Sequence, residues 1–318
     1  MNDLRNYKAL SKEDMKNDKW KFAPILVSTN RERVDINEKQ ARNFAREKKT
    51  YVIRWQAEYK NWRGKPNPED RVINEDPVFW QYFVSGAEGY ITANVNTDIS
   101  IANGTSCNYH SLSFASKDES DWLEHEMMEA DFGSIISLKS PPASVNVVLF
   151  QDDKDKKDNW DRDTLVQGKV VIPIFQSKSF CKWSNFLVQG GIQYGYNPSY
   201  IDARSLFPID LGFSMTLHKA QGRTLKAVIL ALSERPIHQC QVDFCGFFVA
   251  MSRVKQSEDI RFLLKNPRDY TDSLLYLTHL KQPESIQQYF NGFCYIGSSW
   301  DADLAYDSMI KEKKQNNK

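Results

Sequence analysis

The sequence predicts an α/β protein, a parallel sheet with helices on its faces, interrupted by a β-rich insertion. Three observations carry this. Pro24-Ile25-Leu26-Val27-Ser28 is a short apolar run with β character. Helical spacing and a second apolar run, Tyr51-Val52-Ile53-Arg54-Trp55, follow it, which reads as a strand–helix–strand unit. Later, Ala227-Val228-Ile229-Leu230-Ala231-Leu232 and Ile260-Arg261-Phe262-Leu263-Leu264 are further buried-strand candidates. Between these halves lie Val145-Asn146-Val147-Val148-Leu149-Phe150 and Val170-Val171-Ile172-Pro173-Ile174-Phe175, two strand-like runs separated by a charged stretch from Asp152 to Asp163.

Taken in order, residues 1–20 form a polar segment, helical or irregular. Residues 21–105 form the first part of the parallel-sheet domain. Here Thr29 or Asn30 can cap a helix running to Lys48, with Val34, Ala41, Phe44 and Ala45 on its inner face. Asn103-Gly104 signals a turn. The insertion is expected over 106–205, beginning near an acidic stretch from Asp118 to Asp131 that reads as a solvated helix face. The α/β pattern resumes over 206–265, and a helical, polar extension fills 266–318.

Composition narrows the function classes. The chain has 318 residues, 41% hydrophobic and 26% charged, which are ordinary globular values. Its net charge of +1 gives no global signal for nucleic acid, so any such site must be a local patch. Five scattered cysteines read as reduced intracellular thiols, not a disulfide framework. No apolar run is long enough to span a membrane, and no signal-peptide pattern opens the sequence.

Two blocks carry chemistry. Thr216-Leu217-His218-Lys219-Ala220-Gln221-Gly222-Arg223-Thr224 packs a hydroxyl, an imidazole, an ammonium, an amide and a glycine into nine residues. Closely spaced donors of this kind grip the phosphates of a nucleic-acid strand. Thr216 and Lys219 are three apart, so one helical turn puts them on one side. Gly222 permits a tight reversal. The second block, Phe248-Val249-Ala250-Met251-Ser252-Arg253, ends in an arginine, whose planar fork binds phosphate oxygens and keeps its charge.

With Arg204 and Phe207-Pro208-Ile209-Asp210-Leu211-Gly212-Phe213-Ser214-Met215 leading in, the pair resembles the late motifs of Pif-type helicases. These are superfamily-1B DNA motors that include the helicase part of Helitron transposons. Pro24 to Asn30 with Val34 and Asn37, and Asn103-Gly104-Thr105, resemble two further elements of that family. The resemblance implies a RecA-like domain with a small β-barrel inserted beside the DNA channel, and movement 5′ to 3′ on single-stranded DNA. It places Thr216, His218 and Lys219 along the strand path. Gln221, Gly222 and Thr224 would couple that path to the nucleotide cleft, and Arg253 would reach the γ-phosphate. ATP and Mg2+ would be bound mainly by a separate or missing N-terminal RecA-like domain. Leu217-His218-Lys219-Ala220 departs from the family at its apolar and small positions. The family's additional arginine motif is not placed, and Arg31 and Arg33 are poor candidates for it. Such a protein is expected inside the cell, in nucleus or mitochondrion if eukaryotic.

A phosphate-cradling loop, G-x-x-x-x-G-K-[ST], is not found. Gly64-Lys65-Pro66 and Gly168-Lys169-Val170 lack both the upstream glycine and the following hydroxyl residue. About twenty residues precede the expected domain, against roughly 150 for a first RecA-like domain. The sequence is therefore expected to be the C-terminal half of an ATP-dependent DNA helicase. The alternative is a single-strand-binding remnant without catalysis. Phe150-Gln151-Asp152-Asp153 reads as a charged turn, and His238, Cys240 and Cys245 lack zinc-like spacing.

Overall fold

The computed structural model describes residues 8–56, 59–61, 80–97, 101–149, 165–166, 169–182, 200–232, 242–264, 277, 280–293, 299–307 and 310. In chain order these form β1 (Lys8–Ala9), α1 (Asp18–Lys21), β2 (Ile25–Val27), α2 (Asn30–Glu47), β3 (Val52–Gln56), β4 (Tyr59–Asn61), β5 (Trp80–Phe83) and β6 (Glu88–Ile91). There follow β7 (Ser106–Ser113), α3 (Lys117–Glu129), β8 (Ile135–Ser137), β9 (Ser144–Leu149), β10 (Leu165–Val166), β11 (Lys169–Ile174), β12 (Ser177–Lys182) and β13 (Tyr200–Leu206). The last are β14 (Ile209–Leu211), β15 (Ser214–Thr216), α4 (Leu217–Ala220), β16 (Val228–Leu232), α5 (Phe244–Met251), β17 (Ile260–Leu264) and α6 (Glu284–Asn291).

The α/β class is as expected. A parallel sheet runs in the order β1-β17-β16-β2-β15. Its strands are apolar on both faces because both faces are covered. Leu26, Met215, Leu230 and Phe262 share one core with Leu217 and Ala220 of α4 and with Ala250 of α5. Ile25, Val27 and Ile229 form the other with Trp20 of α1, and Ile36 of α2 packs against them. The apolar runs at 227–232 and 260–264 are the central strands, as their composition implies. The edge strand β1 has no counterpart in the sequence reading. It pairs with β17 through Lys8 and Ala9, and the segment after it is pinned by Asp14 on Arg261 at 3.3 Å.

The strand–helix–strand unit is corrected. The strand at 52–56 forms, but it does not join β2 in the parallel sheet. It pairs antiparallel with β5 and parallel with β8, in a three-stranded sheet of its own. The physical reason is the length of α2, whose 18 residues carry the chain about 27 Å. A capping box fixes its start: Thr29 Oγ1 accepts from the Glu32 N–H, and the Thr29 N–H donates to the Glu32 carboxylate. At its end Thr50 N donates to Ala45 O, with Lys49 in the left-handed region at φ 53. That turn delivers β3 into a second body, where Val52, Ile53 and Trp55 are buried.

The second body lies between β2 and β15 in the chain. Its strands run from Val52 to Leu211. It holds the three-stranded sheet, a six-stranded antiparallel sheet of order β10-β11-β9-β7-β6-β14, and the sheet β12-β13-β4. The α3 helix shows the solvated acidic face expected of it, with Leu123 its buried residue. Asp152–Asp163, Gly64-Lys65-Pro66, His238 and Cys240 lie outside the described residues. Among the described residues no helix is long and apolar enough to cross a membrane.

Candidate nucleic-acid interface

The Thr216–Thr224 block begins at the C-terminal end of β15, the end of a parallel sheet at which ligands characteristically bind. Thr216 is the last strand residue and the N-cap of the single-turn α4. The residue is 8% exposed and its side chain makes no capping bond. Leu217 and Ala220 face the core, which turns His218 outward and leaves Lys219 partly exposed. Gln221 and Thr224 are exposed. Gly222 has φ 80, and a Cβ there would meet nothing within 4 Å, so the backbone conformation, not space, calls for glycine. At the same edge the Ser28 hydroxyl, just past β2, is buried with no hydrogen-bond partner among the described residues.

The two sequence blocks meet through Arg253. Its Nη1 donates to the carbonyls of Arg223 at 3.1 Å and Ala220 at 3.4 Å. Its Nε donates to Val249 O at 2.9 Å, Nη2 donates to Ser252 Oγ at 2.8 Å, and its own carbonyl accepts from Leu225 N at 2.8 Å. One guanidinium thus braces the turn holding Gln221 and Gly222 against the end of α5. In this arrangement its fork is occupied by backbone carbonyls and by the Ser252 hydroxyl.

A charged cluster that the sequence reading did not single out sits behind Lys219. Asp210 of β14 accepts three bonds on one oxygen, Oδ2. Arg33 Nη1 of α2 donates at 2.5 Å, Lys219 Nζ at 3.3 Å, and the Tyr90 hydroxyl at 3.4 Å. The Tyr90 ring is also approached by Lys219 Nζ, 5.5 Å from its centroid, and by the Arg223 guanidinium at 4.6 Å. Gly89 makes this proximity possible. A Cβ there would stand 2.9 Å from Asp210 O and 2.5 Å from the Tyr109 ring.

Burial pushes the Asp210 carboxyl up, but Arg33 and then Lys219 outweigh it and hold it below the ordinary carboxylate range. Burial works against the charge on Arg33 as well, and Asp210 more than restores it. The Tyr90 hydroxyl is pushed up, first by burial and then by Asp210, against the opposing pull of Arg33 and Arg223. For Arg223 the balance goes the other way: burial lowers its pKa, and Tyr90 and Cys107 only partly offset it. The same burial pushes the Cys107 thiol up to about 12. Two cations, Arg33 and Lys219, therefore share one carboxylate, and Arg223 lies nearby over the Tyr90 ring.

A cavity of about 260 Å³ opens beside this cluster, with Arg33, Asp210 and Lys219 among its lining residues. Asp210 was visible as a lone charge in the alternation Ile209-Asp210-Leu211. Tyr90 gave no sequence signal, because its role comes from β6 pairing with β14, far away in the chain.

The described residues do not by themselves make a seat for ATP and Mg2+. The arginine expected to reach phosphate is turned onto backbone carbonyls, and no cluster of three or more His, Cys, Asp or Glu with metal-binding geometry occurs among the described residues.

No family model and no curated protein matches the sequence. Among solved structures, the chain is similar to the Pif1 helicase from Candida albicans at 16% identity and a TM-score of 0.46, over 90% of this chain and 52% of that one. It is also similar to the Pif1 helicase from Bacteroides in complex with ADP-AlF3 and ssDNA, at 14% identity and a TM-score of 0.42, over 86% of this chain and 46% of that one. The chain spans about half the length of these structures. Likenesses this distant assign no residue a role.

Proposed function

We propose that this chain is the strand-gripping half of an ATP-dependent DNA helicase, and that single-stranded DNA lies across the Thr216–Thr224 block. The observation that carries the reading is the join between the two blocks. Arg253 holds the Ala220–Arg223 turn by its carbonyls, so a movement of either block reaches the other. His218 and Lys219 offer donors to phosphates at the open end of the sheet, with the Arg223 guanidinium nearby over the Tyr90 ring. Thr216, buried beneath them, would act through its place at the strand end. Gln221, Gly222 and Thr224 would form the movable turn.

In the complete motor, ATP and Mg2+ would be held mainly by a first RecA-like domain. Arg253 would be this chain's contribution, leaving its backbone carbonyls for the γ-phosphate. Travel 5′ to 3′ belongs to the resemblance. Binding without catalysis is the reading for this chain acting alone, since no phosphate loop stands in its sequence.

The test is a fluorescence-anisotropy titration of the chain with a labelled single strand and with a blunt duplex of equal length. Preference for the single strand is expected. Equal affinity for the two, or none for either, would overturn the reading.

A further inference from the structure

The cavity beside Lys219 is not used by the grip on phosphate described above. Its lining includes the charged group, Lys219 and Arg33 with their shared Asp210, of which Lys219 is the most exposed. Its lining mixes polar side chains with aromatic and apolar ones, among them Trp80 and Tyr82 of β5, Phe207 and Pro208. About 260 Å³ falls below the ~300–1,000 Å³ usual for drug-sized ligands and suits one flat ring system. A strand whose phosphates follow the rim would bring its bases to the mouth of this cavity.

We propose that the cavity receives one nucleobase of the bound strand, next to a phosphate held at Lys219. The inference rests on the single-strand reading above. The walls are already set for it. The Arg54 guanidinium lies 4.0 Å from the centroid of the Trp80 ring, and the Tyr82 hydroxyl donates to Glu38 at 2.9 Å, so neither ring has to be ordered on binding.

The polar lining also says how the base is read. Gln81, the amide best placed to recognise a base edge, donates to Phe207 O at 2.9 Å and accepts from Phe207 N at 3.0 Å. Asn37 is tied in the same way to the backbone of Ser214. With both amides oriented by main chain, the cavity takes a base mainly by its faces. It accepts any of the four bases, as stacking platforms for single strands do.

The experiment uses the full chain and a set of short labelled oligonucleotides, each with one abasic site at a different position. One position, or two adjacent ones, is expected to weaken binding on the order of tenfold, the usual worth of a stacked base. Trp80→Ala should remove that position dependence and Trp80→Phe should keep it, while oligo-dT and oligo-dA bind alike. Binding of the intact strand with no position dependence overturns the base site and leaves the single-strand reading standing. Absence of binding to the intact strand overturns both. The abasic scan on the unaltered chain decides the matter even if a Trp80 variant fails to fold.

Discussion

Asp210→Asn is the perturbation whose cost the structure defines best. The Asp210 side chain is 27% exposed and that of Arg33 13%, so most of the pair is shielded from water. Removing one partner of a fully buried pair strands the other charge at a cost of ~3–5 kcal/mol. Asp210 keeps some solvent, and Lys219, at 37% exposed, adds little. A loss of about 2–3 kcal/mol at pH 7 is therefore expected. The pH dependence has a definite sign. The carboxyl of Asp210 titrates below its ordinary range when folded. Its contribution is complete above the unfolded pKa of about 3.9 and is lost as pH falls through the folded value. Urea unfolding of the two proteins should show a constant gap from pH 7 to about 5 that closes only at more acidic pH. Arg33→Met should also destabilise, and the double variant should recover part of the loss. A gap under about 1 kcal/mol at pH 7, or one that closes as pH rises, would refute the assignment of Asp210 as the ionised hub.

Two further outcomes follow from single contacts. Arg253→Ala should speed hydrogen exchange at the Arg223 and Leu225 amides on the order of tenfold, about 1.4 kcal/mol of lost bracing, and Arg253→Lys should do nearly the same because an ammonium lacks the fork. Unchanged exchange would show that the carbonyl contacts hold nothing. Lys49→Gly should stabilise the chain by up to about 1 kcal/mol, since Lys49, which follows the Lys48 C-cap of α2, holds a positive φ that glycine adopts without cost; destabilisation in urea unfolding would contradict that geometry.

The sequence made the central strands legible because both faces of the parallel sheet are buried, which forces continuous apolar runs such as 227–232. The start of α2 was legible because Thr29 and Glu32 satisfy the helix end locally. The partner of β3 was not, since Val52, Ile53 and Trp55 suit any sheet with two covered faces. What decides is where an 18-residue helix sets the chain down. The site divided in the same way. Lys219 and Gly222 could be read from one short string. Arg33, Tyr90 and Asp210 come from three separate elements, and only the register of β6 with β14 and the packing of α2 bring them onto one oxygen.

The central claim, that the Thr216–Thr224 block grips phosphates, is tested most directly by the salt dependence of single-strand binding. The chain and its His218→Ala, Lys219→Ala variant would be titrated with the same oligonucleotide across a range of salt. Each phosphate contact contributes a slope of about 0.7 in log affinity against log salt for a single strand. The variant should bind more weakly and lose about 0.7 or more of that slope. Equal affinity and an unchanged slope would remove this block from the strand path.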